Sequence, residues 1–223
     1  MIGRLRRWIR PRHPLSAGEA YEEWAAGYPP HAHNPLMQLE ERVFLEMLPD
    51  PRGCTVLDLA CGSGRYLGIL QQRGAARIVG ADRSPAMLAR ARQISPDVVR
   101  TDLLDLGLRS GRFHLITCAL AVGHVRDLSG VLMEISRVLA SRGTVIYSDI
   151  HPIGSWLGWE RSFQGPDGRT RVVKHHPHSY ADHVAACRAA GLKIEDVREP
   201  RIEFQHRWRG LPALLIIRAG KPE

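Results

Sequence analysis

Asp58, Gly62, Gly64 and Asp82 are the residues whose types and spacing could do chemistry together. The first three stand in TVLDLACGSGRYLGIL, Thr55 to Leu70, which reads as a buried strand, a glycine-rich turn and a helix start. Glycine lets a ligand approach the backbone, and a helix N-terminus offers free N–H groups and positive potential. Asp82 follows about twenty residues after Gly62, at the end of a second strand, where a carboxylate suits ribose hydroxyls. The dinucleotide pattern G-x-G-x-x-G is incomplete, because Leu67 holds the third glycine position. A carboxylate at Asp58 repels a pyrophosphate and suits a cationic amino group. The ligand so described is an amino acid joined to a nucleoside, and S-adenosylmethionine has that constitution.

The elements that must position these residues alternate along the chain. After a Pro-, His- and aromatic-rich segment with a short helix around Glu19 to Ala26, Pro35 opens a helix through Leu48. Leu36, Leu39, Val43 and Met47 form its apolar stripe. CTVLDLA reads as a strand, GRYLGILQQRG as a helix closed by Gly74, and ARIVGAD as a strand. Ser84-Pro85 starts the next helix as N-cap and first-turn proline. DVVRTD and FHLITCALA are strands, LSGVLMEISRVLA a helix and TVIYSDI a fifth strand. Beyond Ile150 the rhythm breaks, and Asp167-Gly168 signals a hairpin between RSFQ and TRVV. The helix SYADHVAACRAAG and two strands around KIEDVREP and ALLIIRAG follow, the last pair forming an antiparallel edge. Strands apolar throughout fit a mostly parallel sheet with helices on both faces. The expected fold is an α/β, Rossmann-like three-layer α/β/α sandwich with seven strands, the last antiparallel. Residues 1–34 are an N-terminal cap segment, and 35–223 the catalytic domain, with a lid insertion at about 152–178.

A chain of 223 residues suits one such domain, and no segment approaches an unbroken membrane span. Four scattered cysteines without a C-x-x-C pair fit a reducing compartment, and the N-terminus lacks a signal-peptide core, so the expected location is cytoplasmic. The net charge of +8 is nearly all arginine, clustered only at Arg4, Arg6, Arg7, Arg10 and Arg12. Ile2, Leu5 and Ile9 could share a helical face there, which Pro11 cuts short.

VLDLACGSG, VGADRSPAMLARAR, RTDLLDL, HLITCALAVGHV, EISRVLASRGTVIYSDIHP and HSYADHVAACRAAGLKIEDV follow one another in this order. The chain so read resembles the class I S-adenosylmethionine-dependent methyltransferases, of the small-molecule kind often called methyltransferase type 11, from about Tyr21 to Gly220. The resemblance implies S-adenosylmethionine as cofactor and S-adenosylhomocysteine as product. It places Asp58, Ala60 (a glycine in many members), Gly62 and Gly64 around the methionine moiety. It gives the ribose hydroxyls to Asp82, with Arg83 flanking and Met87 against the adenine, and the adenine edge to Asp102 and Leu103. Leu120 falls near the sulfonium, and Tyr21, Trp24 and Tyr28 resemble an aromatic cap that closes over the cofactor.

Methyl transfer from a sulfonium asks for alignment, dry walls and, for some acceptors, a base. His124 and His151, each just past a strand, are the base candidates. His175, His176, His178 and His183 could hold a metal, line an acceptor pocket or lie on the surface. No metal site is expected. Trp156 and Trp159 are lid candidates. The expected partner is a small-molecule acceptor methylated on O, N or C, the chain being a monomer or homodimer. The positive balance keeps open an RNA or tRNA methyltransferase, and a non-catalytic S-adenosylmethionine-binding protein is the third reading.

Overall fold

The computed structural model describes residues 13–204 and 206–223, so the arginine cluster at Arg4 to Arg12 lies outside the described residues. Helix α1 (Ala17–Trp24) opens with a reciprocal cap in which Ser16 and Glu19 satisfy each other's backbone N–H, and a short 3-10 turn (Ala25–Gly27) continues it. Asn34 caps α2 (Pro35–Met47). Then come β1 (Thr55–Leu59), α3 (Arg65–Gln72), β2 (Arg77–Asp82), α4 (Pro85–Ala91), β3 (Val98–Arg100), β4 (Phe113–Cys118), α5 (Leu128–Val138) and β5 (Leu139–Ile150). As the residue types predict, Ser84 caps α4 in front of Pro85. The insertion holds a four-residue helix α6 (Ile153–Trp156), which sequence periodicity did not show, and the expected hairpin of β6 (Ser162–Gln164) and β7 (Thr170–Val172). α7 (Tyr180–Ala189), β8 (Lys193–Arg198) and β9 (Leu214–Gly220) complete the chain.

The main sheet has seven strands in the order β3-β2-β1-β4-β5-β9-β8. All run parallel except β9, which is antiparallel to both of its neighbours. The last two strands do form an antiparallel pair, but β9 is interior: it lies between β5 and β8, and β8 is the edge. Alternate residues face two cores. Leu57, Leu59, Ile116, Val145 and Ile217 pack toward α5 and α7. Val56, Leu115, Ile146 and Ile216 pack toward α2 and α3. The strand order reverses between β1 and β4, the switch point where open α/β sheets form a ligand crevice. Among the described residues no helix is long and apolar enough to cross a membrane.

Helix α2 departs from its expected stripe. It buries Met37, Leu39, Phe44 and Met47, leaves Leu36 and Val43 half-buried, and buries Glu40 completely. The reason is polar. The Glu40 carboxylate accepts hydrogen bonds from the Tyr66 hydroxyl at 3.0 Å and the Ser148 hydroxyl at 2.7 Å, and pairs with the Arg65 guanidinium at 2.8 Å. A buried charge is tolerated only when paired and hydrogen-bonded in this way.

Removing that carboxylate leaves the Arg65 cation, whose side chain is 9% exposed, with only the longer pairing to Glu41 at 3.4 Å among the described residues. Glu40→Ala is expected to cost about 3 kcal/mol or more in urea unfolding, well beyond an exposed substitution such as Glu46→Ala.

Candidate active site

The cleft at the carboxyl ends of β1 and β4 is built from the glycine turn outward. Cys61 N–H bonds the Ala81 carbonyl at 3.0 Å, which draws the turn after β1 over the end of β2. Two of its residues are left-handed for different reasons. Gly62 has φ +54° with open space where a Cβ would sit, so its backbone angle is what calls for glycine. Gly64, with φ +100°, also packs so closely that a Cβ would meet Ile94 Cδ1 at 2.8 Å. Ala60 takes φ +56°, a conformation that costs an L-residue about 1–2 kcal/mol. Leu120, at the end of β4, is left-handed as well, with φ +55°. Strain of this kind concentrates at functional sites.

Most of the sequence-derived residues converge here. Asp58, Ala60, Gly62, Asp82, Arg83, Met87, Asp102, Leu103, Leu120, Tyr28 and His124 all line the cleft. Gly64 shapes the turn from behind the wall, and His151 does not line the cleft. The His151 backbone N–H bonds the Ala213 carbonyl at 2.9 Å, its Nδ1 accepts the Ile153 N–H at 3.2 Å, and its Nε2 faces Glu199 at 3.3 Å. Strand β5 therefore carries His151 toward β9 and α6, and the expectation of a base at this position is corrected.

Two carboxylates dominate the electrostatics. Asp82 accepts the Gly62 N–H at 2.9 Å and the Ser84 N–H at 2.8 Å; burial nonetheless raises its pKa, against those backbone bonds. Asp58 is 2% exposed; one oxygen accepts the Thr117 hydroxyl at 2.8 Å, and the other, Oδ2, is buried without a partner. Burial pushes the Asp58 carboxyl up to about 7, with Thr117 and Arg65 pulling the other way. Asp102 is more exposed, receives the Leu104 N–H at 3.0 Å and lies 3.5 Å from Arg83.

At the β4 end, His124 has both ring nitrogens engaged. Nδ1 faces the Lys174 carbonyl at 3.3 Å, so it carries the proton; Nε2 then accepts the Tyr21 hydroxyl at 3.1 Å. Burial, with Arg161 nearby, lowers the imidazole pKa to about 3. His124 is thus a neutral acceptor that holds Tyr21, not a histidine titrating near neutrality. The other candidate histidines disperse. His175 bonds Asp149 at 3.1 Å, His178 bonds the Val125 carbonyl at 2.9 Å, and His183 faces the Tyr147 hydroxyl at 3.3 Å. Among the described residues no group of three His, Cys, Asp or Glu side chains could hold a metal ion.

A roof drawn from two distant segments covers the cleft. The Glu22 carboxylate accepts the Ser84 hydroxyl at 2.6 Å, and the Ser63 hydroxyl reaches the Pro29 carbonyl at 3.0 Å. Trp24 stacks on Phe163 of the hairpin at 4.6 Å, Glu23 pairs with Arg171 at 3.0 Å, and Leu15 bonds β7 and Lys174 through its backbone. The sequence reading missed two arginines in the lining: Arg65, at the start of α3, and Arg161, at the foot of β6. Only its place directly after the turn could have singled out Arg65.

The profile of the family described as "Methyltransferase domain", type 11, matches residues 57–147, which carry the glycine turn, Asp82 and β4. Residues 57–147 thus carry a methyltransferase domain of the class I S-adenosylmethionine-dependent kind. It superposes on the crystal structure of an S-adenosylmethionine-dependent methyltransferase from Mesorhizobium loti with a TM-score of 0.68 and 26% identity, covering 82% of this chain and 98% of that one. An uncharacterized methyltransferase of Synechocystis is 34% identical over 52% of this chain, which spans 56% of that relative's length. A ubiquinone biosynthesis O-methyltransferase of Xanthomonas axonopodis is 26% identical over 76% of this chain and 73% of its own. S-adenosylmethionine is the cofactor of this family, and the donor set fits it. Asp58 Oδ2 is an acceptor in want of a donor, beside the glycine turn.

The raised Asp58 carboxyl sets a pH dependence. An unfolded aspartate ionises near pH 4, whereas Asp58 does so at about 7, so the ligand-free fold loses stability as pH rises through that window. Asp58→Asn is expected to match the parent near pH 4 and to exceed it by up to about 4 kcal/mol at pH 8, read from urea titrations at each pH.

Proposed function

We propose that the chain transfers a methyl group to an O, N or C atom of a small-molecule acceptor, with the cofactor laid across the ends of β1 to β4. The observation that carries this reading is the unpartnered Asp58 Oδ2 beside the glycine turn. It would accept the methionine ammonium. Ala60 and Gly62 would pass their backbone along the same moiety on the turn that Gly64 shapes, and Arg65, on the first turn of α3, would face its carboxylate. Asp82 would take the ribose hydroxyls with its remaining lone pairs, flanked by Arg83. Met87, 1% exposed, would lie against the adenine, whose edge would meet Asp102 and Leu103. Leu120 and Tyr28 would close around the reacting end.

S-adenosylmethionine, when bound, supplies an electrophilic methyl group on its sulfonium. The chain's part is alignment and exclusion of water. Tyr21 and Tyr28 line the cleft, Trp24 packs behind them, and His124 fixes the Tyr21 hydroxyl. Positioning of this kind removes roughly 7–11 kcal/mol of barrier in favourable cases. The ubiquinone biosynthesis O-methyltransferase among the relatives supports a small organic acceptor.

Calorimetry with S-adenosylhomocysteine is expected to give saturable binding, and NAD none. Asp82→Ala should weaken S-adenosylhomocysteine about 100-fold, two hydrogen bonds to a charged acceptor being lost; unchanged affinity would remove the ribose assignment. The ammonium favours ionised Asp58, so affinity should rise from pH 5 to about 7 and level above it, and Asp58→Asn should flatten that profile.

A further inference from the structure

The end of the cleft around Leu120 carries a cation without a carboxylate. Arg161 reaches it from the insertion, donating from its guanidinium to the Leu120 carbonyl at 2.9 Å. Among the described residues it makes no salt bridge, in contrast to Arg65, which pairs with Glu40 and Glu41. Its guanidinium sits 5.9 Å from the centre of the Tyr21 ring, and Tyr21, Tyr28, His124 and Asp149 are the titratable groups facing it. Asp149 is already bound by His175 and does not line the cleft. One guanidinium nitrogen is used on Leu120, and the guanidinium also lies within hydrogen-bonding reach of the Tyr21 hydroxyl; among the described residues no carboxylate takes its other donors.

Among the described residues the same end lacks a free base. Both nitrogens of His124 are engaged, by the Lys174 carbonyl and the Tyr21 hydroxyl. Burial raises the Tyr21 hydroxyl pKa, so Tyr21 keeps its proton. His151 faces Glu199 outside the cleft. Asp58 and Asp82 lie on the opposite side, at the ends of β1 and β2. An acceptor that must lose a proton has nothing here to take it.

These two observations point to one acceptor chemistry. We propose that Arg161 is a specificity-determining residue that binds an organic carboxylate as methyl acceptor. The inference rests on the methyltransferase reading above and narrows its acceptor. A carboxylate is already ionised at neutral pH, so no proton leaves it. The new O–CH3 bond forms as the methyl–sulfur bond breaks, and that bond's electron pair stays on sulfur; the products are a methyl ester and a neutral thioether. Arginine matches the two carboxylate oxygens with a planar pair of donors, and Arg161, brought by the lid, completes the subsite only when the insertion is in place.

The test uses the full chain loaded with S-adenosylhomocysteine and a panel of monocarboxylates, acetate through decanoate and benzoate, each beside its own amide. Calorimetry should find at least one acid bound about 10- to 100-fold tighter than its amide. Arg161→Gln should erase that preference and Arg161→Lys retain part of it, with S-adenosylhomocysteine affinity within about threefold in both, which also reports an intact fold. With methyl-tritiated cofactor, the preferred acid should give label released as methanol by alkali. The proposal is overturned if no acid is preferred to its amide or if Arg161→Gln keeps the preference. It is equally overturned if Arg161→Gln loses S-adenosylhomocysteine tenfold or more, which would make Arg161 the partner of the cofactor's own carboxylate. An unsubstituted chain that binds no S-adenosylhomocysteine overturns the functional reading and this inference together, whereas binding without acid preference overturns the inference alone.

Discussion

A carboxylate with no access to solvent, that of Glu40, ties together the elements on which the cleft depends. Buried ions impose geometry because every lone pair left without a partner is costly. Glu40 meets that demand with Arg65 and Tyr66 of α3 on one side and Ser148 of β5 on the other. Ser148 in turn accepts the Leu120 N–H, through both its hydroxyl and its carbonyl. A chain of polar contacts thus runs from the helix that follows the glycine turn, beneath the sheet end, to the residue that closes β4. The two walls of the cleft share one buried charge, so neither can shift alone.

The left-handed residues Ala60 and Leu120 make sense on that foundation. Each ends a central strand, each turns the backbone away from the sheet, and neither is glycine. Ala60 is followed by the Cys61–Ala81 backbone bond; Leu120 is gripped through its N–H by Ser148 and through its carbonyl by Arg161. The strain is held by neighbours that over-determine the backbone, and it leaves the two strand ends splayed where a ligand fits.

Strand positions, caps and the glycine turn were legible because they are local. Continuous apolar runs, Ser84-Pro85 and Asp167-Gly168 each announce their structure within a few residues. The cleft lining at Asp58, Asp82 and Asp102 followed from the same rule, since strand ends in such a sheet point one way. What could not be read depended on contacts distant in sequence. A search for an apolar stripe passes over Glu40, whose partners are 26 and 108 residues away. The strand-end rule chose His151, but β9 pairs β5 to its last residue and holds His151 at that edge. The role of His124 hangs on a tyrosine 103 residues earlier. Arg161 was one arginine among many in an arginine-rich chain until the hairpin placed it.

The position of β9 carries a consequence for how the molecule is made. When a nascent chain has completed β5, the outer edge of that strand has no partner, and β8 emerges before the strand that belongs there. Exposed strand edges invite wrong pairing, with other chains or with β8 itself in the slot meant for β9. Because β8 pairs only with β9, the β5 edge stays open until the last strand of the chain docks on it, and the seven residues of β9 close both that edge and the inner edge of β8 at once.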